Sequence, residues 1–285
     1  MRFLQTSGPP SIRLPVGAYG LTLPGLERCA GLIPSPGPAW PDIHVERGRV
    51  ERQPERTWVD ADTAAVRLID GGALLLDRVE RRATVLTTAP LSDDDLVHPY
   101  LAPVASYFAG WLGRHALHAG GVCIHGTAFA VVGAKESGKT TALAWLAMQG
   151  CDVLADDMLV IDDGRALAGP RALDLRPDAA ARLNLLEEAR ENPTRGRARL
   201  GLGPVAHESP LGGLLFLEWG DRVAMTPLRP SERLQRIATA TSPRRPGGAR
   251  APVELARFPA WELRRPRSIA ALPEVLDRLL ALAGG

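Results

Sequence analysis

Apolar and polar residues follow two different periods along this chain, and the change between them divides the sequence. From residue 56 to residue 90 the two kinds largely alternate, which predicts β-strands, and Gly71-Gly72 predicts a turn between two of them. After Asp93 to Asp95, which suit a helix start, apolar residues at helical spacing predict a mostly buried helix: Leu101, Val104, Tyr107, Phe108, Trp111 and Leu112. We therefore expect an N-terminal β-rich region with an antiparallel sheet, residues 1–95, and a second domain, residues 96–285.

A strand, a loop and a helix are predicted in succession near the middle of the chain. Residues 128–132 form a short apolar stretch typical of a buried strand, and the helix after the loop ends at Gly150. Between them, Gly133-x-x-x-x-Gly138-Lys139-Thr140 is the Walker A pattern, in which backbone N–H groups at a helix N-terminus bind phosphate. The predicted nucleotide-binding residues are Gly133, Ala134, Lys135, Glu136, Ser137, Gly138, Lys139, Thr140 and Thr141.

Both lysines of the chain lie in this loop. All other positive side-chain charges among its 34 Lys and Arg residues are arginines, so Lys135 and Lys139 stand out. A lysine ammonium is a compact charge on a thin stem, whereas a guanidinium is a wider fork that a tight phosphate loop does not accommodate. We expect Lys139 to neutralise the β- and γ-phosphates of ATP, Thr140 to bind Mg²⁺ through its hydroxyl, and Lys135 to be more exposed.

An acidic pair interrupts the apolar segment that follows the helix. Residues 153–161, VLADDMLVI, predict one buried strand with Asp156 and Asp157 at its centre. Two adjacent carboxylates are costly there unless they split between the two faces, lie at an exposed strand end, or pair with a cation. Mg²⁺ would give one of them a partner, and the other could accept a proton from an attacking hydroxyl. The spacing alone does not decide which carboxylate has which role.

The motifs around the loop resemble those of the HPr kinase/phosphorylase family. His118 lies 21 residues before Lys139 and Asp156 lies 17 residues after it, and the resemblance covers residues 117–163. It implies an α/β fold with a P-loop core of the HPr kinase/PEP carboxykinase type, with ATP and Mg²⁺ as cofactors. It also implies that His118, Lys139, Asp156 and Asp157 are catalytic, with Asp157 as the base.

Weaker parts of the same resemblance extend the expected site. The segment LDLR, residues 173–176, resembles a Glu-x-Arg segment of the family. It implies that Asp174 helps to hold Mg²⁺ together with Thr140 and Asp156, and that Arg176 takes the family's arginine position. Arg222 resembles a distal family arginine near the phosphate. Because the family is hexameric, the resemblance also points to a homo-oligomer.

Two departures from the family favour an acceptor other than HPr. Glu136 stands where the family has a glycine, and residues 177–186, PDAAARLNLL, replace a segment that bears on protein docking and phosphorolysis. The chain resembles a divergent branch of HPr-kinase-like enzymes, some of which phosphorylate a serine of a lasso-peptide precursor, so a peptide substrate is expected. A Gly/Arg-rich segment, residues 191–204, is either a solvated loop or a binding site for an acidic group, through Arg195, Arg197 and Arg199.

The amino-acid composition limits which partners and which cellular location are expected. The net charge is +2, which gives no strong attraction to nucleic acid or to an anionic membrane. The 3 cysteines lack CxxC spacing, which favours a reducing compartment over a disulfide framework or a zinc site. No apolar run approaches the ~20 residues of a membrane span, and the N-terminal residues lack the apolar segment of a signal peptide. The expected location is cytoplasmic.

Two other functions remain open at the level of sequence. A kinase of a small hydroxylated metabolite would need a closed pocket, whereas a peptide kinase would need an open groove or a free strand edge beside the loop. A nucleotide-dependent switch or scaffold would bind ATP but turn it over weakly, without dependence on an acceptor.

Overall fold

The structure, a computed structural model, describes residues 14–192, 196–241 and 249–284. This part of the chain has a mixed α/β architecture with several sheets, in agreement with the predicted α/β class. The first sheet contains β1 (Val16–Ala18), β2 (Leu21–Thr22) and β3 (Ile33–Pro34) in the order β2-β1-β3. The second contains β4 (His44–Arg49), β5 (Trp58–Val59), β6 (Thr63–Arg67), β7 (Ala73–Asp77) and β8 (Arg82–Thr87) in the order β4-β8-β7-β6-β5.

The N-terminal strands confirm most of the predicted pattern. Gly71 and Gly72 lie in the turn between β6 and β7, and Gly71 has a left-handed φ of 89° that glycine adopts without strain. The antiparallel sheet is only partly as expected, because β4 pairs with β8 in parallel. That pairing joins strands that are distant in sequence, so the local alternation of residues could not reveal it.

The predicted buried helix is confirmed. Ser92 caps the short helix α1 (Asp93–Asp95), and its hydroxyl accepts a hydrogen bond from the Asp95 N–H at 3.1 Å. A kinked turn (Leu96–Tyr100) leads into α2 (Leu101–Trp111), whose apolar residues are largely buried. Leu112, just past its end, is half exposed.

A nine-stranded sheet forms the centre of the molecule. Its first strands are β9 (His115–Leu117), β10 (Ala119–Ile124), β11 (Thr127–Val132), β12 (Asp152–Ala155), β13 (Leu159–Asp162) and β14 (Arg165–Leu167). A small separate sheet follows in the chain, with β15 (Ala172–Leu175), β16 (Arg190–Asn192) and β17 (Arg197–Gly201) in the order β15-β17-β16. The central sheet is completed by β18 (Glu208–Trp219), β19 (Ala224–Pro227) and β20 (Ala260–Arg265).

The long strand β18 connects the two halves of the central sheet. Its beginning pairs with β14, which continues to β13 and β9, and its remainder pairs in parallel with β11 on one side and β20 on the other. Beyond β11 come β10 and β12, and β19 borders β20. The strand order on the side that carries the site is therefore β12-β10-β11-β18-β20.

Successive residues of the central strands face two different cores, as the period of a strand requires. On β11, Ala128, Ala130 and Val132 belong to one buried cluster, and Phe129 and Val131 belong to the other. The first cluster includes α2 and apolar residues of the N-terminal strands, so both sequence regions contribute to one core. The second cluster is covered by α3 (Lys139–Met148) and α7 (Leu272–Ala283). The remaining helices are α4 (Pro177–Arg182), α5 (Pro230–Ala240) and α6 (Ala251–Leu255).

Candidate active site

The predicted site residues meet at one edge of the central sheet because of the direction of its strands. β18 and β20 run parallel to β11, and β12 does too because both β11 and β12 are antiparallel to β10. The carboxyl ends of these strands therefore share an edge, which is where open α/β sheets bind ligands. The 133–138 loop follows β11 at this edge, and Asp156 follows β12.

Two chain interruptions lie side by side at this edge. His118 separates β9 from β10, and residues 156–158 separate β12 from β13. Because β9 pairs with β13 and β10 pairs with β12, the two breaks are neighbours. The expectation of one continuous strand through the acidic pair is wrong. Asp157 has a left-handed φ of 61°, and the Met158 N–H donates to the Asp156 carbonyl at 2.7 Å, so the chain turns between the two strands.

This turn gives the two carboxylates different surroundings. Asp156 is 3% exposed, and its Oδ1 accepts a hydrogen bond from the Thr140 hydroxyl at 3.3 Å. Burial, together with the negative charge of Asp157, raises the pKa of Asp156 to about 7. The Asp157 side chain is 42% exposed and faces the cleft described below. The pair is thus divided into a buried carboxyl and a cleft-facing one.

His118 is bonded to this turn from the neighbouring interruption. Its Nδ1 donates to the Asp157 backbone carbonyl at 2.9 Å. A carbonyl oxygen can only accept, so Nδ1 carries the proton and the neutral ring has its lone pair on Nε2. Because His118 also lines the cleft, this ring is close to both Asp157 and the space above the loop.

The 133–138 loop has the geometry that its sequence requires. Gly138 precedes α3 with a left-handed φ of 78°, and a Cβ there would collide with the guanidinium of Arg265. Lys139 is buried, and its Nζ donates to the carbonyls of Gly133 at 2.6 Å and Ala134 at 3.2 Å. Burial lowers the pKa of Lys139, and the nearby charges of the two aspartates act in the opposite direction.

Glu136 is the exceptional residue of this loop. It has a left-handed φ of 69°, where a glycine would be unstrained. Its carboxylate accepts a hydrogen bond from Arg176 at 2.6 Å, and this bond lowers the pKa of Glu136. A carboxylate therefore stands in the loop at the position where the resemblance leads one to expect glycine.

The loop lies in a cleft of about 1070 Å³ that opens to solvent. Among the predicted site residues, those that line it are His118, Lys135, Glu136, Ser137, Gly138, Lys139, Thr140, Thr141, Asp157, Asp174, Arg176 and Arg197. Gly133 and Ala134 begin the loop without lining the cleft, and they contribute the carbonyls that bind Lys139. Asp156 lies beneath it and reaches the cleft through Thr140.

Arg199 has a role that differs from the expected one, and Asp174 is its partner. Arg199 is 7% exposed and binds Asp174 through two hydrogen bonds, at 2.7 and 3.0 Å. It also donates to the backbone carbonyls of Asp94 and His98 at 2.8 Å each. Arg199 is therefore a buried structural side chain that joins the small sheet to the segment before α2, and it is not displayed to a substrate. Its bidentate contact already uses both carboxylate oxygens of Asp174.

One of the predicted substrate arginines lies elsewhere, and another falls outside the described residues. Arg222 is an exposed residue of the β18–β19 turn and is not among the residues that line the cleft. Arg195 falls outside the described residues. Arg197 does line the cleft, so of the two loop arginines that the structure describes, Arg197 and Arg199, it is the one at the candidate site.

Several cleft residues were not found from the sequence. Trp219 ends β18 and Arg265 ends β20, and the Arg265 guanidinium lies 4.5 Å from the centre of the Trp219 ring and donates to the Gly138 carbonyl at 3.1 Å. Arg267 lies 5.0 Å from the same ring. His98 is a buried neighbour of both acids, with its Nε2 3.9 Å from Asp157 Oδ2 and 3.7 Å from Asp174 Oδ2. No local motif marks these residues. Trp219 and Arg265 meet because β18 and β20 pair in parallel, and His98 reaches the acids because the segment before α2 packs against them.

None of the helices in residues 14–192, 196–241 and 249–284 is long and apolar enough to cross a membrane. Within the same ranges, no group of three or more His, Cys, Asp or Glu side chains is arranged to hold a metal ion by itself.

Comparison with known proteins adds distant structural similarity to solved structures. No protein-family model and no curated protein matches the chain. Among solved structures, the HPr(Ser) kinase/phosphatase from Coxiella burnetii matches with a TM-score of 0.32 and 11% identity, over 59% of this chain and 94% of that chain. The function of the site therefore has to be inferred from its own geometry.

Proposed function

We propose that this chain is a P-loop kinase that transfers the γ-phosphoryl group of ATP, with Mg²⁺, to a hydroxyl group of a peptide. The observation that carries the proposal is the juxtaposition of the His118–Asp157 pair with the loop that holds Lys139. Phosphoryl transfer requires mainly positioning and charge stabilisation, so a phosphate loop, a lysine and a cleft-facing carboxylate are a sufficient set.

Strand order supports a direction for ATP in the cleft. Trp219 and Arg265 lie at the ends of β18 and β20, whereas Asp157 lies beyond β12, four strand intervals from β20. At about 4.8 Å per interval the two ends are separated by ~19 Å, enough for an extended nucleotide. We place the base and ribose beside Trp219 and the 267–272 segment, whose Ile269, Ala270 and Leu272 line the cleft. The γ-phosphate then lies on the side of Asp157.

The residues beside the loop suit Mg²⁺. The Thr140 hydroxyl and the Asp156 carboxyl are hard oxygen ligands within hydrogen-bond distance of each other. The raised pKa of Asp156 indicates a buried carboxyl that a divalent cation would stabilise in its ionised form. Mg²⁺ commonly takes only one or two protein ligands and completes its shell with phosphate oxygens and water. Asp174 also lines the cleft, but both of its oxygens are already bonded to Arg199, so we name Thr140 and Asp156 as the principal ligands.

The transfer step can be written with the residues at hand. The acceptor hydroxyl oxygen forms a bond to the γ-phosphorus, the bond from this phosphorus to the β–γ bridging oxygen breaks, and ADP leaves. The hydroxyl proton passes to the Asp157 carboxylate, which faces the cleft. Lys139 neutralises the charge on the phosphate oxygens. His118 holds the turn that carries Asp157 through its bond to the backbone carbonyl, so we assign it a positioning role.

The shape of the cleft favours a peptide over a small metabolite. The cleft opens to solvent, and one of its lining residues, Ile69, is fully exposed. A peptide segment can enter such an open cleft, whereas a metabolite kinase would enclose its substrate to exclude water.

The test compares peptides with small metabolites as phosphate acceptors. The protein is incubated with Mg-ATP and either serine- and threonine-containing peptides or hydroxylated metabolites, and products are detected by mass spectrometry. We expect phosphate on peptide hydroxyls with wild type and not with Asp157→Asn. Transfer to metabolites alone would replace the peptide with a small substrate. ATP consumption that is independent of any acceptor would favour a switch or scaffold.

A further inference from the structure

The cleft has a wall that the proposed ATP position leaves unused. Three side chains from separate elements form it: Ile69 in the β6–β7 turn, Arg182 of α4 and Arg197 of β17. The turn at Ile69 is tied through Asp70 to Tyr100. Tyr100 lies in the segment of His98, whose Nε2 lies 3.9 Å from Asp157 Oδ2. Since an attacking hydroxyl has to approach the γ-phosphate from the side opposite ADP, groups next to the hydroxyl would meet this wall.

The β6–β7 turn is held in place although it lies at the surface. Gln53 Nε2 donates to the backbone carbonyls on both sides of the turn, Leu68 at 3.1 Å and Gly72 at 2.7 Å. The Tyr100 hydroxyl donates to the Asp70 carboxylate and so ties the turn to the segment before α2. A turn fixed by side chains on two sides is pre-organised to present its tip to a ligand.

Ile69, at that tip, is fully exposed while it lines the cleft. Covering an exposed isoleucine with an apolar group is favourable, so this side chain offers a contact for an aliphatic residue of the acceptor. Val79, in the β7–β8 turn of the same sheet, is also strongly exposed but does not line the cleft. Ile69 therefore differs from Val79 in its position at the cleft and not in its exposure.

The charge of the wall is positive. Among the described residues Arg197 has no ion-pair partner, and Arg182 has only a 3.8 Å contact with Asp178, one helical turn away, with both side chains mostly exposed. Such an exposed pair contributes little and leaves Arg182 able to bind another carboxylate. Asp174 and Arg199, deeper in the site, neutralise each other.

We propose that the acceptor is a peptide segment in which the reacting serine or threonine is flanked by an aliphatic side chain and by an acidic group. The aliphatic side chain packs on Ile69, and the acidic group, either a side-chain or a chain-terminal carboxylate, binds Arg197 and Arg182 by charge-assisted hydrogen bonds. This inference rests on the proposed phosphoryl transfer and specifies its substrate.

The experiment uses a degenerate peptide library with one fixed serine, whose flanking positions contain aspartate, asparagine, leucine or serine. Some peptides are C-terminally amidated, which separates a chain-terminal carboxylate from a side-chain one. Wild type, Ile69→Asn and Arg197→Gln are compared, with Val79→Asn and Arg257→Gln as matched controls that alter exposed residues outside the cleft lining. Phosphorylated products are sequenced by mass spectrometry, and the Kd of Mg-ATP is measured for every variant.

Wild type is expected to favour acidic over amide flanks by about tenfold or more, the scale of one hydrogen-bonded charge. Arg197→Gln should lose the preference for acidic flanks, and Ile69→Asn should lose the preference for leucine. Both variants should keep their affinity for Mg-ATP. The two control variants should behave as wild type. Equal use of all flanks by wild type, or preferences that persist in both variants, would overturn the inference. Transfer to metabolites but to no peptide would overturn it while leaving phosphoryl transfer intact, and failure to bind Mg-ATP would remove both.

Discussion

His118 and Asp157 are joined by a hydrogen bond of 2.9 Å from the imidazole Nδ1 to the backbone carbonyl. The bond connects two chain interruptions in neighbouring strand pairs, and it holds the left-handed turn that aims the Asp157 carboxylate into the cleft. His118 thereby acts on the proposed base through the backbone that carries it.

A pair of substitutions at His118 tests this positioning role. The Nδ2 of asparagine can replace Nδ1 as a donor to the carbonyl, whereas leucine cannot. We expect His118→Leu to lower kcat by about 10² and His118→Asn to restore a large part of it, with the Kd of Mg-ATP unchanged in both. If asparagine is as inactive as leucine, the ring contributes through Nε2 and its role is in direct contact with the reacting groups.

The two aspartates should respond differently to removal of charge. Asp157→Asn is expected to bind Mg-ATP normally and to lose a factor of about 10² or more in kcat, the usual scale for a general base. Asp156→Asn should instead raise the Mg²⁺ concentration needed for half-maximal activity, because this residue bonds to Thr140. Kinetics over a Mg²⁺ series measure both effects. Exchanged phenotypes would mean that the buried carboxyl, and not the cleft-facing one, is the base.

The buried carboxyl of Asp156 should also make stability depend on pH. Its pKa in the folded state is about 7, above the ordinary value near 4, so the folded protein holds this proton more tightly than the unfolded chain. Its contribution to the stability of the metal-free protein is therefore lost as pH rises from about 4 to about 7. We expect Asp156→Asn to melt at a higher temperature than wild type at pH 8, and the difference to shrink toward pH 5.

Thermal melts in EDTA between pH 5 and pH 8 measure this difference. Asp163→Asn, which changes an exposed carboxylate in the β13–β14 turn, is the matched control and should follow wild type at every pH. A constant difference between Asp156→Asn and wild type across the range would contradict a raised pKa at this position.

Glu136 provides a prediction about nucleotide affinity. Its carboxylate stands in the phosphate loop, so removing the charge should strengthen Mg-ATP binding several-fold. Both Glu136→Gln and Glu136→Gly should show this gain in calorimetry, and it should diminish at high salt. The glycine variant also fits the left-handed φ at this position, but its more flexible unfolded chain offsets that gain in stability. Weaker binding in both variants would mean that the Glu136–Arg176 bond organises the loop.

The sequence predicted those features that depend on local spacing. Gly133 and Gly138 define the loop, the periodicity after Ser92 defines α2, and Gly71-Gly72 define a hairpin turn, all within a few residues of one another. The interruption at Asp156 was missed, because a run of apolar residues predicts a strand wherever the chain happens to turn.

Features that depend on distant parts of the chain could not be predicted in this way. Arg199 was interpreted as a loop residue, yet it is buried against Asp174 and against backbone carbonyls about a hundred residues earlier in the chain. Trp219 and Arg265 meet only because β18 and β20 pair in parallel. A single sequence contains no signal for such pairings, and His98 reaches the acids by the same kind of packing.

The central claim is that the 133–138 loop binds Mg-ATP through Lys139, and a calorimetric titration tests it most directly. Lys139 is buried with its Nζ against two loop carbonyls, so a guanidinium does not fit, whereas Lys135 in the same loop is exposed. Wild type and Lys135→Arg should bind one Mg-ATP per chain with similar affinity, and Lys139→Arg should remain folded but bind at least about tenfold more weakly. Equal binding by Lys139→Arg, or no binding by wild type, would contradict the claim.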